Sequence, residues 1–201
     1  MIIRESTYKD IFAIELETEK YIAKVIPSEG AKIASFKAKE SGKEYLLQNR
    51  GEKYNTLGEE KSFEKSECSG FDDMFPTIDP MTVVDEKGRE LFHPDHGEIC
   101  RVPFTYDIKD GKLYLFYRSD KLGYDYKKVL YEGTDGKISI DYSVTNVGDC
   151  KMDCVWTAHC LINVEKGGQI LVPFDEGEPM DILSDKLKRL PVEQTIAYKK
   201  E

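Results

Sequence analysis

Long apolar runs are missing from this 201-residue chain, and its opening MIIRESTYKDIFAIELE breaks its hydrophobicity with charge before a signal-peptide core can form. No membrane-spanning helix is expected, and the chain reads as soluble and cytoplasmic. Basic charge is also in short supply: 29 Lys and Arg stand against 38 Asp and Glu, a formal net charge of −9. That balance repels a phosphate backbone or an anionic lipid surface, so neither nucleic acid nor membrane is an expected partner. No two of the five cysteines show CxxC spacing, and an odd number in a chain of this size argues for free thiols in a reducing compartment. The sequence carries no GxSxG elbow, no P-loop and no GxGxxG, which removes the common signatures of serine hydrolases, nucleotide hydrolases and dinucleotide enzymes.

What is present is a β pattern. Apolar content of 40% suits one domain over residues 1–201, and the 15 Gly and 8 Pro are scattered as punctuation with no linker. Lys87-Gly88, Asp110-Gly111 and Asp135-Gly136 sit between apolar or alternating segments, as tight antiparallel turns require. The clearest strand runs over 137–145, where Ile138, Ile140, Tyr142 and Val144 alternate with Ser139, Asp141, Ser143 and Thr145. Weaker strands are expected over 11–17, 21–26, 31–38, 102–108, 113–118, 127–131, 152–164 and 169–172. Helical spacing occurs only over 181–190, where Pro191 stops it. Residues 49–70 are polar, charge-rich and without either period, and read as a flap lying over one sheet.

Three histidines are few enough to weigh singly. His159 lies inside an apolar strand, where a group that exchanges a proton near neutral pH faces either the core or a cleft. His96 precedes Gly97 and Glu98, and polar groups from separate strands can converge on one sheet face. His93, His96, Glu98 and His159 offer metal-ligating chemistry, but Pro94 between the first two histidines and their poor spacing argue against a metal centre. Ser69 to Pro76 (SGFDDMFP) combines Asp72 and Asp73 with two aromatic rings, which suits hydrogen bonds to hydroxyls and stacking on sugar C–H faces, or equally a surface turn. Trp156, three residues before His159, points to the opposite face of a regular strand and reads as core.

The segments GAKIASFKAKESGKEYL, SGFDDMFPTI, PDHGEI and ISIDYSVTNVGDCKMDCVWTAHCLINVEKGGQILVP resemble the aldose 1-epimerase (galactose mutarotase) family over residues 11–173. The resemblance implies an all-β fold, a shortened β-supersandwich of antiparallel sheets with little helix and a sugar cleft on the concave side. It implies that His159 protonates the ring oxygen of a pyranose while a carboxylate takes the anomeric proton, with His96 bonding the sugar near the reacting oxygen. Ring opening of this kind needs no metal or organic cofactor, only a positioned acid and base. The family's carboxylate lies on a strand with no counterpart here; Asp72, Asp73, Glu98 and Glu178 are conceivable substitutes. Arg101 is the nearest candidate for the arginine that contacts sugar hydroxyls or a phosphate, at an offset from His96 unlike the family's, and Cys160 replaces the proline that often follows the strand histidine.

These residues lead to an expected protein that binds a hexose or hexose phosphate and interconverts its anomers, with His159 and His96 catalytic and Asp72, Asp73, Glu98 and Arg101 touching the sugar. The competing expectations are a sugar-binding module without catalysis, a metal-dependent β-sandwich enzyme and an inactive scaffold. A shortened sandwich exposes sheet edges, so a homodimer is also expected.

Overall fold

The computed structural model describes residues 1–58, 61–169, 171, 173–182 and 191–197. Among these, two units separate: residues 1–164 and residues 165–201. In the first, a six-stranded sheet is built from β1 (Ile2–Tyr8), β2 (Ile11–Glu17), β3 (Tyr21–Ile26), β4 (Lys32–Ala38), β5 (Phe71–Met74) and, beyond an intervening hairpin and a second sheet, a late strand at Thr157–Cys160. The hairpin pairs β6 (Met81–Val84) with β7 (Glu90–His93) across the Lys87-Gly88 turn. The second sheet is an antiparallel meander of β8 (Thr105–Lys109), β9 (Lys112–Ser119), β10 (Tyr124–Glu132) and β11 (Ile138–Asn146), and the late strand is β12.

Alternation decides which face each residue takes. Ile14 and Leu16 of β2, with Ala23 and Val25 of β3, share one apolar cluster with Leu113 and Leu115 of β9 and with Tyr124, Tyr126 and Leu130 of β10, so the two sheets bury their facing sides against each other. Each fully buried Leu or Ile in this seam contributes about 1.5–3 kcal/mol. Ala13, Ile26 and Ala34 point out of the opposite side of the six-stranded sheet and pack with Tyr8, Ile11 and Tyr54. Tyr54 belongs to the 49–70 segment, which covers this second face.

The expected bounds of β2 and β3 coincide with the observed strands, and the Asp110-Gly111 turn joins β8 to β9 with both residues at positive φ. The SGFDDMFP segment contributes a strand, β5, where a turn was the competing expectation. Only four residues long, it is held by β12 on one side and touches β4 through the single pair Ile33 and Phe71. The 152–164 segment forms strand only at Thr157–Cys160. In the second unit, β13 (Pro179–Ile182) pairs with β14 (Gln194–Ala197). The helical spacing over 181–190 falls outside the described residues except for Asp181 and Ile182, which close β13, and the strand expected over 169–172 is described only in part. All five cysteines are free thiols, and no helix among the described residues is long and apolar enough to cross a membrane.

Candidate functional site

Antiparallel pairing of β5 with β12 sets Asp72 opposite His159 and Asp73 opposite Ala158. Because side chains alternate, Asp72 and His159 share the flap-covered face and Asp73 turns into the seam between the sheets. His96 reaches that covered face from the turn after β7. Both His96 (φ 63°) and Gly97 (φ 73°) are left-handed there, a conformation a non-glycine residue holds only when its surroundings enforce it. The enforcement is visible. The His96 N–H donates to Ile78 O at 2.8 Å, and Gly97 lies so close to Phe75 that a Cβ would come within 2.3 Å of its carbonyl oxygen.

The two imidazoles meet edge to face with ring centroids 4.9 Å apart. Phe63, from a short 3₁₀ turn of the flap, lies flat on His96 at 4.3 Å and edge-on to His159 at 4.9 Å. Asp95 Oδ1 is 2.8 Å from His96 Nδ1, and its Oδ2 accepts the Phe63 N–H at 3.2 Å. Burial pushes the Asp95 carboxyl up, but the hydrogen bonds from His96 and Phe63 outweigh it and hold its pKa below the ordinary value. His159 is pushed the other way: burial lowers its pKa, the neighbouring His96 and Lys32 charges add to this, and Asp95 opposes it. Its Nδ1 is buried without a hydrogen-bond partner among the described residues.

Beneath the imidazoles sits a buried ion pair. Lys32 Nζ is 3.4 Å from Asp72 Oδ2, off the axis of a good hydrogen bond, and both side chains are almost wholly enclosed. Burial pushes Asp72 up to about 6 despite Lys32. The Lys32 ammonium also lies 5.7 Å from the Phe63 ring centre. Cys100 shares an apolar cluster with Phe63, and Cys68 packs against it; burial raises both thiols, Cys100 up to about 12, so neither is a ready thiolate.

The remaining candidate residues lie around this group. On the opposite face of β5, Asp73 accepts from Lys128 Nζ at 2.8 Å, and that lysine also donates to Ala31 O at 3.1 Å. Glu98 Oε2 accepts from Tyr124 OH at 2.6 Å on the seam side. Arg101 is buried and donates to the backbone carbonyls of Gly97, Asp95, Gly58 and Lys61, which ties the His96 turn to the flap. His93 ends β7 and lines a different cleft of about 680 Å³ with Arg89, Leu91 and Met152. Glu178 is exposed in the second unit. Trp156 donates to Tyr126 OH at 2.9 Å and leans on Tyr142. No group of three His, Cys, Asp or Glu side chains arranged for a metal ion occurs among the described residues.

Three members of the cluster escape a reading of the sequence: Phe63, Asp95 and Lys32. Phe63 is hidden in a segment without period. Asp95 is adjacent to His96 and offered a signal, a carboxylate beside an imidazole in a turn. Lys32 offered another, a lone cation in the apolar run GAKIASF.

No family model matches the chain, and no curated protein matches it. Among solved structures, a galactose mutarotase-like protein from Clostridium acetobutylicum is similar at a TM-score of 0.52 and 17% identity, covering 81% of this chain and 54% of that one. A galactose mutarotase-like protein from Lactobacillus casei ATCC 334 gives 0.49 and 19%, over 67% of this chain and 44% of that one. A 4-alpha-glucanotransferase from Thermococcus litoralis gives 0.46 and 20%, over 71% and 24%. The chain thus spans about half the length or less of each of these structures. Nearly all antiparallel sheet among the described residues, and similar to the Clostridium structure over four-fifths of its length, the chain has the galactose mutarotase-like fold.

Proposed function

We propose that this protein binds a hexose over His96 and His159 and interconverts its α and β anomers by acid and base catalysis of ring opening. The observation that carries the reading is the meeting of two imidazoles, from distant parts of the chain, at 4.9 Å on the covered face of a mutarotase-like sheet. Ring opening needs one proton delivered and another removed, and two imidazoles of different surroundings can serve both needs near neutral pH. Lys32, fixed by Asp72, supplies a cation at the same place for a sugar hydroxyl or a sugar phosphate. A hexose reaches this position when the Phe63 ring leaves His96. The same reading places the protein in the cytoplasm, in keeping with five free thiols, and has it self-associate through an open sheet edge.

Polarimetry on freshly dissolved α-D-glucose and α-D-galactose tests it. We expect the protein to accelerate the change in rotation, and His159→Ala to lose roughly 10²- to 10⁴-fold of that acceleration. A second reading, a sugar-binding module without catalysis, is favoured by one feature: Asp72 is paired with Lys32, and Asp95 is taken up by His96 and the Phe63 N–H, so neither carboxylate is free to act as the base. Saturable sugar binding with no acceleration over buffer decides for that module.

A further inference from the structure

A pyranose is a six-membered ring that lays its C–H face on an aromatic side chain and carries hydroxyls around its rim. The phenyl ring of Phe63 already meets the first half of that description. It lies on His96 with the planes 3° apart and the centroids 4.3 Å apart, stands edge-on to His159 at 4.9 Å, and sits 5.7 Å from the Lys32 ammonium. One ring thus touches both imidazoles and lies over the cation that the hexose reading gives to the sugar. What it lacks is a hydrogen bond to offer, and His159 Nδ1 is buried without a partner among the described residues. The backbone delivers this ring. The Phe63 N–H donates to Asp95 Oδ2 at 3.2 Å, the carboxylate whose other oxygen meets His96 Nδ1, and Arg101 donates to Lys61 O at 3.2 Å. The side chain shares an apolar cluster with Leu57 and Cys100 and is 3% exposed. The base of the flap is fastened elsewhere: Glu67 pairs with Lys9, and Asn49 Nδ2 donates to Glu67 O at 2.8 Å. The tip at 61–66 and the base are held by different parts of the fold, which lets the tip lift as a local unit.

We propose that Phe63 is a built-in competitor of the sugar: its ring takes the place of the pyranose on His96 and His159 and keeps the site closed until a hexose displaces it. This rests on the hexose reading above and adds a regulation of the same site. The observed affinity is then that of the open form reduced by the fraction of molecules that are open. A sugar displaces the ring because its hydroxyls supply the hydrogen bonds to imidazole and ammonium that a phenyl ring does not, while its C–H face replaces the lost stack. A flat ligand without hydroxyls gains nothing over Phe63, so the same contact that closes the site also selects what opens it.

The test is calorimetric binding of D-glucose and D-galactose to the wild type and to Phe63→Ala. We expect Phe63→Ala to bind the preferred sugar about tenfold more tightly, because the stack no longer holds the closed form. Binding that is unchanged leaves Phe63 a bystander, and binding that is weaker makes it a cover for the sugar; either result overturns the proposal while leaving the hexose reading standing. Phe63→Ala also empties part of the cluster with Leu57 and Cys100, so hydrogen exchange on the wild type gives a readout independent of variant folding. A ligand ordinarily slows the exchange of the segment it touches. Here a saturating sugar should speed exchange of the amides at 61–66 and leave β2 and β3 as they were, since the bound form is the lifted one. Exchange at 61–66 that slows or stays the same in the sugar-bound wild type overturns the competitor. If neither the wild type nor Phe63→Ala binds either sugar, the hexose reading falls and the competitor falls with it.

Discussion

Asp72 is a carboxylate at 2% exposure with a single cation beside it. A carboxylic acid whose folded pKa lies above its unfolded value binds its proton more tightly when folded. Its contribution is therefore intact at low pH and is lost as pH rises from the ordinary value of 3.8 to about 6. The loss amounts to roughly 3 kcal/mol. Asp72→Asn cannot ionise, so its stability relative to the wild type should climb by about that amount between pH 4 and pH 7 in urea unfolding. A difference that stays level with pH would show that Lys32 fully neutralises the carboxylate. At this scale the sequence was legible where chemistry is scarce: three histidines invited scrutiny one at a time, and the two that converge were both singled out. Lys32 and Phe63 stayed hidden because a buried ion pair and a ring stack are made by tertiary contact, which no local spacing records.

Among the elements, the flap shows how a segment without period can be well fastened. Its Glu67 is buried in an ion pair with Lys9, Asp10 Oδ1 accepts the Tyr54 N–H at 2.8 Å, and Arg101 holds the carbonyls of Gly58 and Lys61. Removing a buried guanidinium strands several carbonyls at once, so Arg101→Ala should cost about 2–4 kcal/mol and speed amide exchange over residues 61–66. Exchange there as slow as in the wild type would mean that Glu67 and Asp10 carry the flap alone. Strand bounds were readable for β2 and β3, whose apolar residues face a packed sheet. They were not for β1, where Arg4 and Glu5 break the alternation and most positions are exposed, nor for β6 and β7, four residues each and too short to display a period.

Over the first unit as a whole, the two sheets close their facing sides but leave their ends open. β11 and β12 pair on one side only among the described residues. Near them Val144, Val155, Trp156 and Ile162 are each more than 40% exposed. A nine-residue strand with one open edge, such as β11, is a template for another chain. Laid antiparallel on a second copy about Tyr142, it sets Ile140 against Val144 and Asp141 against Ser143 and opposes no like charges. Light scattering at micromolar concentration should therefore give twice the monomer mass, and Val144→Lys, which plants a cation in that pairing, should return the monomer. A wild type that scatters as a monomer would count against the edge.

The Phe63 ring lying on His96 carries a last consequence. Both imidazoles are half-buried beside that ring, so a histidine-acylating reagent labels them faster when the flap lifts. The rate of labelling is then a clock for that opening, separate from the much slower parting of the two sheets, and a sugar that displaces the ring would be felt by that clock before any product is formed.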